Sequence, residues 1–400
     1  MPTAVGDRWR PAWAEIDLDA VRHNASLLRR LADPAALCAV VKADGYGHGE
    51  LAVARAALEG GASWLAVALV EEGVTLRQAG IDAPILLLSE PPEEAMAEAV
   101  ARRLVPTVYT AERIRALAKT VADSASAPVW VHLKVDTGMH RVGADPGDAL
   151  ALAELIEADP NLGLGAVWTH LAVADGTDPA DIEFTLRQLD RFEEVLAELA
   201  GAGHHPPLTH VANSAGTIAA PSARRGLVRC GIAVYGVAPT PALAEQLSAA
   251  TGGGFLRPVL SLRSQVTLVR DLEAGERPSY GRCRPLSQRS TVAVAPIGYA
   301  DGVPRRLFTQ GGTVLIRGAR RPLAGAVTMD QIIMDCGPPG SSGVEVGDEV
   351  VLLGSQGDDE ITADDWAAWV GTISYEVLCG IGPRVPRIPV DQGRPGSTGR

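Results

Sequence analysis

Short apolar runs alternate with segments of helical spacing over residues 37–235, and this alternation restricts the possible folds more than any other feature of the sequence. The apolar runs cover residues 37–41, 64–69, 85–88, 105–109, 129–135, 164–169, 208–211 and 227–235. The segments of helical spacing cover residues 50–59, 71–79, 93–102, 111–119, 149–157 and 181–200. Strands that alternate with helices form a parallel sheet covered by helices. Eight such strands predict an α/β fold with a (β/α)8 TIM barrel over residues 15–245.

The alternative for this half is an open, doubly wound sheet. We rank it lower because residues 43–47, which follow the first barrel strand, lack the GxGxxG spacing of a dinucleotide-binding turn. A lysine, Lys42, also occupies the position where that turn would begin.

The first helix is predicted to start at Glu15. Asp17 is a plausible N-cap, and Leu18, Val21 and Leu28 recur on one face. Because proline lacks a backbone N–H, this helix should end before residue 34.

A mostly β domain is predicted after the barrel, over residues 246–388. The sequence TGGG at 251–254 is typical of a linker, and β-rich runs follow at 259–269, 290–295, 313–316, 331–334 and 349–353, with brief helical character at 364–370. We expect residues 1–14 to form a strand that packs with this domain. Residues 389–400 have little to bury, so we expect a disordered tail.

Charge and cysteine content exclude several classes of function. The net charge of −12 argues against non-specific nucleic-acid binding, which needs a basic face. The five cysteines are widely spread, without CxxC spacing, so we expect reduced thiols, no metal ion and a cytoplasmic location. The first 13 residues lack the apolar core of a secretory signal, and no run approaches a membrane-spanning length.

Lys42 directly follows an apolar run and precedes a segment with three glycines in five positions. A strand buried on both faces has no solvated side for an ammonium group, so Lys42 should lie at the strand's carboxyl end, where barrel enzymes place their chemistry. A surface lysine is the ordinary alternative. A desolvated lysine has a lowered pKa and can form a Schiff base with an aldehyde cofactor.

Two later strand ends offer candidates for an anion site. Ser214 lies where a strand ends and a helix begins, so its hydroxyl and the free N–H groups could bind a phosphate; a plain N-cap serine is the alternative. Arg229 ends another apolar strand, and the amides of Gly231 and Ile232 follow it.

Arg141 and His170 complete the candidates at strand ends. Arg141 follows a glycine turn and could clamp a carboxylate through two hydrogen bonds, although a solvated arginine is the alternative. His170 follows Trp168 and Thr169, and a single histidine so placed is weak evidence by itself.

Nine segments together resemble the alanine racemases, a family of pyridoxal-phosphate enzymes of fold type III. They are AVVKADGYGHG, KVDTGMHRVG, WTHLAVAD, ANSAG, VRCGIAVYG, SYG (279–281), PIGYADG, VTMDQ and ISYEVLC, in the family's order. The resemblance covers nearly the whole chain. It implies interconversion of L-alanine and D-alanine through an external aldimine of pyridoxal 5'-phosphate, for peptidoglycan synthesis.

The resemblance also implies catalytic roles. Lys42 carries the cofactor and exchanges the proton of D-alanine, whereas Tyr280, from the partner subunit of a homodimer, exchanges that of L-alanine. His170 helps the tyrosine to act as a base through a hydrogen-bond chain. Arg229 faces the ring nitrogen of the cofactor. The partners are therefore a second copy of the chain and a small amino acid.

Binding roles follow from the same resemblance. The residues implied to hold the phosphate are Tyr46, Ser214, Gly231, Ile232 and Tyr375. The residues implied to bind the substrate carboxylate are Arg141 and the main-chain amide of Met329, with Tyr299 and Asp330 lining the entrance. Lys134 matches a lysine that can carry a carbamate derived from CO₂.

The sequence departs from the common pattern near the expected entrance. Ala326 and Thr328 replace an arginine and a cysteine or serine, and residues 282–285 are unusually basic. A racemase of broader specificity is therefore one alternative. A decarboxylase of the same fold type is another, although such enzymes usually bring a carboxylate to the ring nitrogen and a cysteine from the partner. A non-catalytic cofactor carrier would not need the β domain that bears Tyr280.

Overall fold

A computed structural model describes residues 9–124 and 127–391, which divide into two compact units. One unit, the barrel unit, consists of Ala20–Gly45 and Glu50–Arg257. The other, the β unit, consists of the chain up to Asp19, the short segment Tyr46–Gly49, and the chain from Pro258 onward.

The first strand, β1 (Ala12–Asp17), belongs to the β unit, and the elements of the barrel follow it. They are α1 (Leu18–Ala32), β2 (Ala36–Val40), α2 (Lys42–Gly47), α3 (Glu50–Glu59), β3 (Trp64–Val67), α4 (Val70–Gln78), β4 (Ile85–Leu87), α5 (Glu93–Ala101), β5 (Thr107–Val108), α6 (Ala111–Ser124), β6 (Val129–Lys134), α7 (Ala149–Glu157), β7 (Leu162–Trp168), α8 (Pro179–Gly201), β8 (Leu208–His210), α9 (Ser214–Ala219), β9 (Leu227–Cys230) and α10 (Pro241–Ala250).

Strands β2 to β9 form a ring of parallel strands. They pair in the orders β9-β2-β3-β4 and β5-β6-β7-β8. The two halves meet where the Val105 N–H donates to Ile85 at 2.8 Å, and again where the Gly226 N–H donates to Thr209 at 3.1 Å. The predicted (β/α)8 barrel is therefore confirmed.

The burial of their side chains explains why the apolar runs form strands of the barrel. In β2, Leu37, Cys38 and Ala39 are fully buried, as expected for a parallel strand covered on both sides. On α1, Val21 and Leu28 are also fully buried. Burying one such side chain stabilises the fold by about 1.5 to 3 kcal/mol.

Two sequence-based boundaries were wrong. The first helix begins at Leu18 rather than Glu15, because residues 15–17 continue β1 and pair with its neighbours. The run 227–235 is a strand only to Cys230, after which Ile232–Tyr235 forms a 3₁₀ turn. Apolar character continues through both parts, so hydrophobicity alone does not mark the change.

The β unit continues after residue 257 with nine further strands and two helices among the described residues. They are β10 (Leu260–Gln265), β11 (Leu268–Leu272), β12 (Ser290–Ala295), β13 (Thr313–Ile316), β14 (Ala319–Pro322), β15 (Ile332–Asp335), β16 (Glu349–Gln356), β17 (Asp359–Ile361), α11 (Ala363–Val370), α12 (Ser374–Cys379) and β18 (Arg387–Val390).

Two sheets organise the β unit. The larger has the order β14-β13-β16-β10-β1-β18, with β17 paired to β16; the smaller has the order β11-β12-β15. Strand β1 pairs antiparallel with β10 and parallel with β18. The N-terminal strand is therefore an interior strand of a sheet built mostly from the last third of the chain.

The end of the chain was predicted to be a disordered tail from residue 389. Pro389 and Val390 belong to β18, whereas residues 392–400 lie outside the described part of the chain. Among the described residues, none of the helices combines the length and apolar character needed to cross a bilayer.

Candidate active site

Lys42 lies at the carboxyl end of β2, half-buried, and opens an unusual turn. The five residues from Ala43 to Gly47 all have positive φ, between 52° and 79°. A left-handed conformation costs a residue other than glycine about 1 to 2 kcal/mol. The segment α2 is therefore a strained left-handed turn, which its surroundings must hold in place.

In the barrel unit, the start of this turn is fixed by hydrogen bonds from backbone N–H groups to the side chain of Glu72. The Ala43 N–H donates to Glu72 Oε1 at 2.6 Å. The other oxygen of Glu72 accepts from Ala68 and Leu69, at 2.8 and 3.0 Å. One carboxylate thus fixes the chain after Lys42 against the start of α4.

The second half of the turn lies in the β unit. The rings of Tyr46 and Tyr375, both predicted phosphate ligands, have centroids 6.4 Å apart. The carbonyl of Gly47 accepts from Arg387 Nε at 2.8 Å. A Cβ on Gly47, where φ is +79°, would lie 2.6 Å from the carbonyl oxygen of Leu378, so only glycine fits there.

Arg229 lies at the end region of β9 and is only 3% exposed. Its guanidinium donates to the carbonyls of Thr169 and Val211, at 2.8 and 3.0 Å, and to the ring nitrogens of His210 and His170, at 2.6 and 3.3 Å. Burial lowers the pKa of Arg229 to about 10, so it stays protonated at neutral pH. All of these acceptors are uncharged.

A chain of histidines extends from this arginine. Because a guanidinium only donates, His210 must accept through Nδ1 and carry its proton on Nε2. That Nε2 lies 3.1 Å from Nδ1 of His132, which therefore accepts in turn. Burial, and then the charge of Arg229, hold the pKa values of His170 and His210 well below the usual range and lower that of His132 to about 3.

The indole of Trp168 packs against this charge. Its ring stacks on His210 at 5.2 Å, with Arg229 Cζ and Lys134 Nζ each 4.4 Å from its centroid. Contacts of a cation with an aromatic face are favourable, more so when they are desolvated. Trp168 thus contacts both the guanidinium of Arg229 and the amine of Lys134 in the same buried region.

Lys134 is 5% exposed, and burial, followed by the charges of Arg229 and Arg141, lowers its pKa to about 7. Lys42 lowers the pKa values of Lys134 and His170 further, so its ammonium group acts on the same cluster. Arg141 is exposed on the turn after β6. Four of the predicted residues from different strand ends, Lys42, Lys134, His170 and Arg229, are therefore brought together.

Ser214 is not the N-cap of α9, which was the alternative to a phosphate-binding role. The N-cap of α9 is Asn213, whose side chain accepts from the Gly216 N–H at 2.9 Å. The Ser214 hydroxyl instead accepts from the N–H groups of Gly231 and Ala233, at 3.0 and 3.4 Å. Ile232 is buried between these two amides.

The remaining predicted residues lie in the β unit. Tyr280, Tyr299 and Met329 are 73%, 41% and 51% exposed, and Asp330 is exposed as well. The Tyr299 N–H donates to the carbonyl of Thr328 at 2.9 Å, so the Tyr299 turn lies beside the loop of Met329.

Sequence reasoning missed Glu72, His132 and Trp168, and gave His210 no role. His210 could have been found, because it ends a barrel strand as Arg229 does. Glu72 offers no such signal, since it lies 29 residues from the turn that it holds.

Comparisons with known proteins agree over the whole fold. The family description "Alanine racemase, N-terminal domain" matches residues 16–239, and "Alanine racemase, C-terminal domain" matches residues 259–389. An alanine racemase of Symbiobacterium thermophilum is 47% identical, covering 95% of this chain and 97% of the relative. One of Nostoc sp. is 43% identical, covering 95% and 96%.

Solved structures give the same result. The alanine racemase from D-cycloserine-producing Streptomyces lavendulae has a TM-score of 0.87 and 38% identity, covering 96% of this chain and 98% of that one. The alanine racemase from Bacillus anthracis with bound L-Ala-P has a TM-score of 0.87 and 35% identity, covering 97% of each. These likenesses do not favour a decarboxylase. The chain belongs to the alanine racemase family and is an isomerase.

Proposed function

We propose that this enzyme interconverts L-alanine and D-alanine by two-base proton transfer, with pyridoxal 5'-phosphate held through Lys42. The observation that carries the proposal is the cluster at the carboxyl ends of the barrel strands, where Lys42 acts electrostatically on Lys134 and His170, next to the buried Arg229. A neighbouring cationic group is one of the ways in which proteins activate a lysine amine.

The residues present fit this cofactor. The Ser214 hydroxyl and the Gly231 amide form a small polar cradle suited to a phosphate. Tyr46 and Tyr375 lie together in the β unit as further donors for the phosphate. Arg229, which contacts only uncharged acceptors, suits the neutral nitrogen of a pyridine ring.

Two bases are needed because the α-proton must leave one face of the α-carbon and return to the other. When bound, pyridoxal phosphate withdraws electrons from the α-carbon and so acidifies its C–H bond. Lys42 Nζ then exchanges the proton of D-alanine, and the phenol of Tyr280 exchanges that of L-alanine.

A phenol has a reference pKa of about 10, so Tyr280 needs help to act as a base. We assign this help to His170, which is neutral and lies 3.3 Å from the guanidinium of Arg229. Arg229 itself remains protonated, so it donates a hydrogen bond without giving up its proton. This limits electron withdrawal by the ring and disfavours side reactions.

Substrate-binding roles are proposed for four residues. The guanidinium of Arg141 and the main-chain amide of Met329 bind the carboxylate of alanine, and Tyr299 and Asp330 line the entrance. The exposure of Arg141, Tyr299 and Met329 is consistent with groups that meet a ligand from solution.

The active site is proposed to be shared in a homodimer. Tyr280 is 73% exposed, which is unusual for a catalytic group that should act away from water. A second copy of the chain would bury it, so each barrel would use Tyr280 of the partner subunit. Free cysteines are consistent with a cytoplasmic location, where D-alanine would be made for peptidoglycan.

Lys134 is proposed to carry a carbamate. The reaction joins a neutral amine to CO₂ and releases one proton, giving a carbamate anion. A pKa of about 7 leaves much of the amine neutral at physiological pH, and Arg141 and Arg229 would attract the anion.

The decisive experiment is reductive capture. Purified enzyme with pyridoxal phosphate should be yellow, borohydride should attach the cofactor to the peptide containing Lys42, and L-alanine should yield D-alanine without release of CO₂. Lys119→Ala, a change at an exposed lysine, is the control that should be captured normally. Capture at another lysine, or CO₂ as a product, would refute the proposal.

A further inference from the structure

Asp301 is a fully buried carboxylate of the β unit that the proposed chemistry does not use. Both of its oxygens lie 2.8 Å from Nη1 of Arg10, and Arg384 Nε lies 3.4 Å away. The Gly298 N–H donates to its Oδ2 at 3.0 Å. Two arginines thus converge on one carboxylate, so the buried charge is well compensated.

The side chain of Arg384 connects this cluster to the loop of Met329. Nη2 of Arg384 lies 2.7 Å from Oδ1 of Asp330, the residue after Met329. Arg384 therefore touches the buried Asp301 on one side and the exposed Asp330 on the other. The loop is therefore attached to the cluster through the side chain of Asp330.

The backbone makes the same connection. The Ala300 N–H donates to the carbonyl of Met329 at 3.1 Å. A Cβ on Gly298 would lie 2.3 Å from the carbonyl oxygen of Thr328 and 2.5 Å from that of Met329, so the two strands of chain are in close contact. The position of the loop that contains Met329 therefore depends on the position of the turn that contains Asp301.

The cluster also reaches the turn after Lys42, within the β unit. The carbonyl of Asp301 accepts from the Gly382 N–H at 3.0 Å, and the carbonyl of Gly382 accepts from Arg387 Nη1 at 2.6 Å. Arg387 donates in turn to Gly47 at 2.8 Å. A continuous set of hydrogen bonds therefore links the Met329 loop to the segment that carries Tyr46.

We propose that Asp301 is a positioning residue that, with Arg10 and Arg384, holds the Met329 amide where the substrate carboxylate binds. This rests on the proposed function, which assigns that amide to the carboxylate. An amide held in advance loses little freedom when the substrate arrives, whereas a mobile loop must be ordered at the expense of affinity. Asp301 does not touch the substrate itself.

Two variants and one control test the proposal. Asp301→Asn removes the charge that attracts both arginines, whereas Arg384→Gln removes the contacts of Arg384 with Asp330 and Asp301 but leaves the pair of Asp301 with Arg10. Asp359→Asn is the control, because Asp359 accepts three hydrogen bonds from Arg320 in the same unit but is half-buried.

The first readout is steady-state kinetics. Asp301→Asn should raise KM for alanine about tenfold or more with kcat within about threefold of the wild type, and Arg384→Gln should raise KM by a smaller factor. Affinity for pyridoxal phosphate and its absorbance should not change in Arg384→Gln. Unchanged KM in both variants, or a fall in kcat alone, would overturn the proposal.

The second readout does not depend on activity. Hydrogen exchange of the peptide containing residues 325–331 should be faster in both variants than in Asp359→Asn, with barrel peptides unaffected. This keeps the test valid if Asp301→Asn folds poorly, because Arg384 is exposed. If the wild type failed to racemise alanine, the proposed function would fail, whereas normal racemisation with unaltered loop exchange would refute only the positioning role.

Discussion

The carboxylate of Glu72 accepts a 2.6 Å hydrogen bond from the backbone N–H of Ala43, the residue directly after Lys42. The same carboxylate also accepts from the N–H groups of Ala68 and Leu69. The direction in which the chain leaves Lys42, and with it the strained turn, is therefore set by a side chain from the next βα unit.

Glu72→Gln should weaken this arrangement. The amide NH₂ of glutamine would face a backbone N–H instead of accepting from it, leaving at least one donor unsatisfied. We expect the free energy of unfolding to fall by about 1 to 3 kcal/mol and kcat to fall by about tenfold, measured by urea denaturation and steady-state kinetics. The neighbouring Glu71→Gln, at an exposed position of α4, is the matched control. Equal behaviour of the two variants would show that Glu72 does not position Lys42.

Tyr280→Phe should separate the two bases. Loss of the phenol should lower racemisation in both directions by about 10² to 10⁴-fold, the usual contribution of a general acid or base. In D₂O, however, D-alanine should still exchange its α-proton, because Lys42 acts on that enantiomer. The α-proton of L-alanine should not exchange. NMR of the two enantiomers measures this, and unimpaired racemisation of L-alanine would refute the assignment of Tyr280.

Lys134 should bind CO₂ in a pH-dependent way. The chain has three lysines, Lys42, Lys119 and Lys134, so a carbamate signal can be assigned by substitution. Because the pKa of Lys134 is lowered to about 7, the amine is mostly neutral at pH 8 and mostly charged near pH 6. Enzyme in ¹³C-bicarbonate should show a carbamate resonance at pH 8 that fades toward pH 6. The resonance should persist in Lys119→Ala and vanish in Lys134→Ala; its persistence in the latter would rule out carbamylation of Lys134.

Three histidines whose pKa values are lowered, His132, His170 and His210, should make the protein sensitive to acid. Their pKa values are lowered in the folded state, so below about pH 6.5 the unfolded chain binds more protons and stability falls as pH falls. Each histidine adds about 1.4 kcal/mol per pH unit to this slope. The stability contributed by neutral histidines is fully present above pH 6.5.

The variant His132→Gln tests this dependence. Urea denaturation between pH 7 and pH 5, at one protein concentration, should give a slope shallower by about 1.4 kcal/mol per pH unit than that of the wild type. His205→Gln, at an exposed histidine, should leave the slope unchanged. Equal slopes for both variants would mean that His132 is not neutral in the folded protein.

The sequence was informative where one residue and its immediate neighbours determine the outcome. Apolar runs bounded by polar residues predicted all eight barrel strands, and Arg229 was recognised because it ends one of them.

What could not be predicted depends on contacts distant in sequence. The left-handed conformation of Ala43 and Asp44 has no local signal, because it is imposed by Glu72 and other groups beyond the turn. The link from Arg10 to Asp301 joins residues 291 positions apart, and periodicity says nothing about such pairs. The short strand β18 was missed because Pro389 interrupts its apolar pattern.

Strand β1 pairs on one side with β10 and on the other with β18, the last strand of the described chain. A ribosome adding residues at about 5 to 20 per second would take roughly 10 to 50 seconds to travel from β1 to β10. During that time the barrel segments can fold, whereas β1 has neither β10 nor β18 to pair with. The final strand can join only when synthesis is almost complete, so a chain truncated before residue 387 would leave one edge of β1 uncovered and open to aggregation.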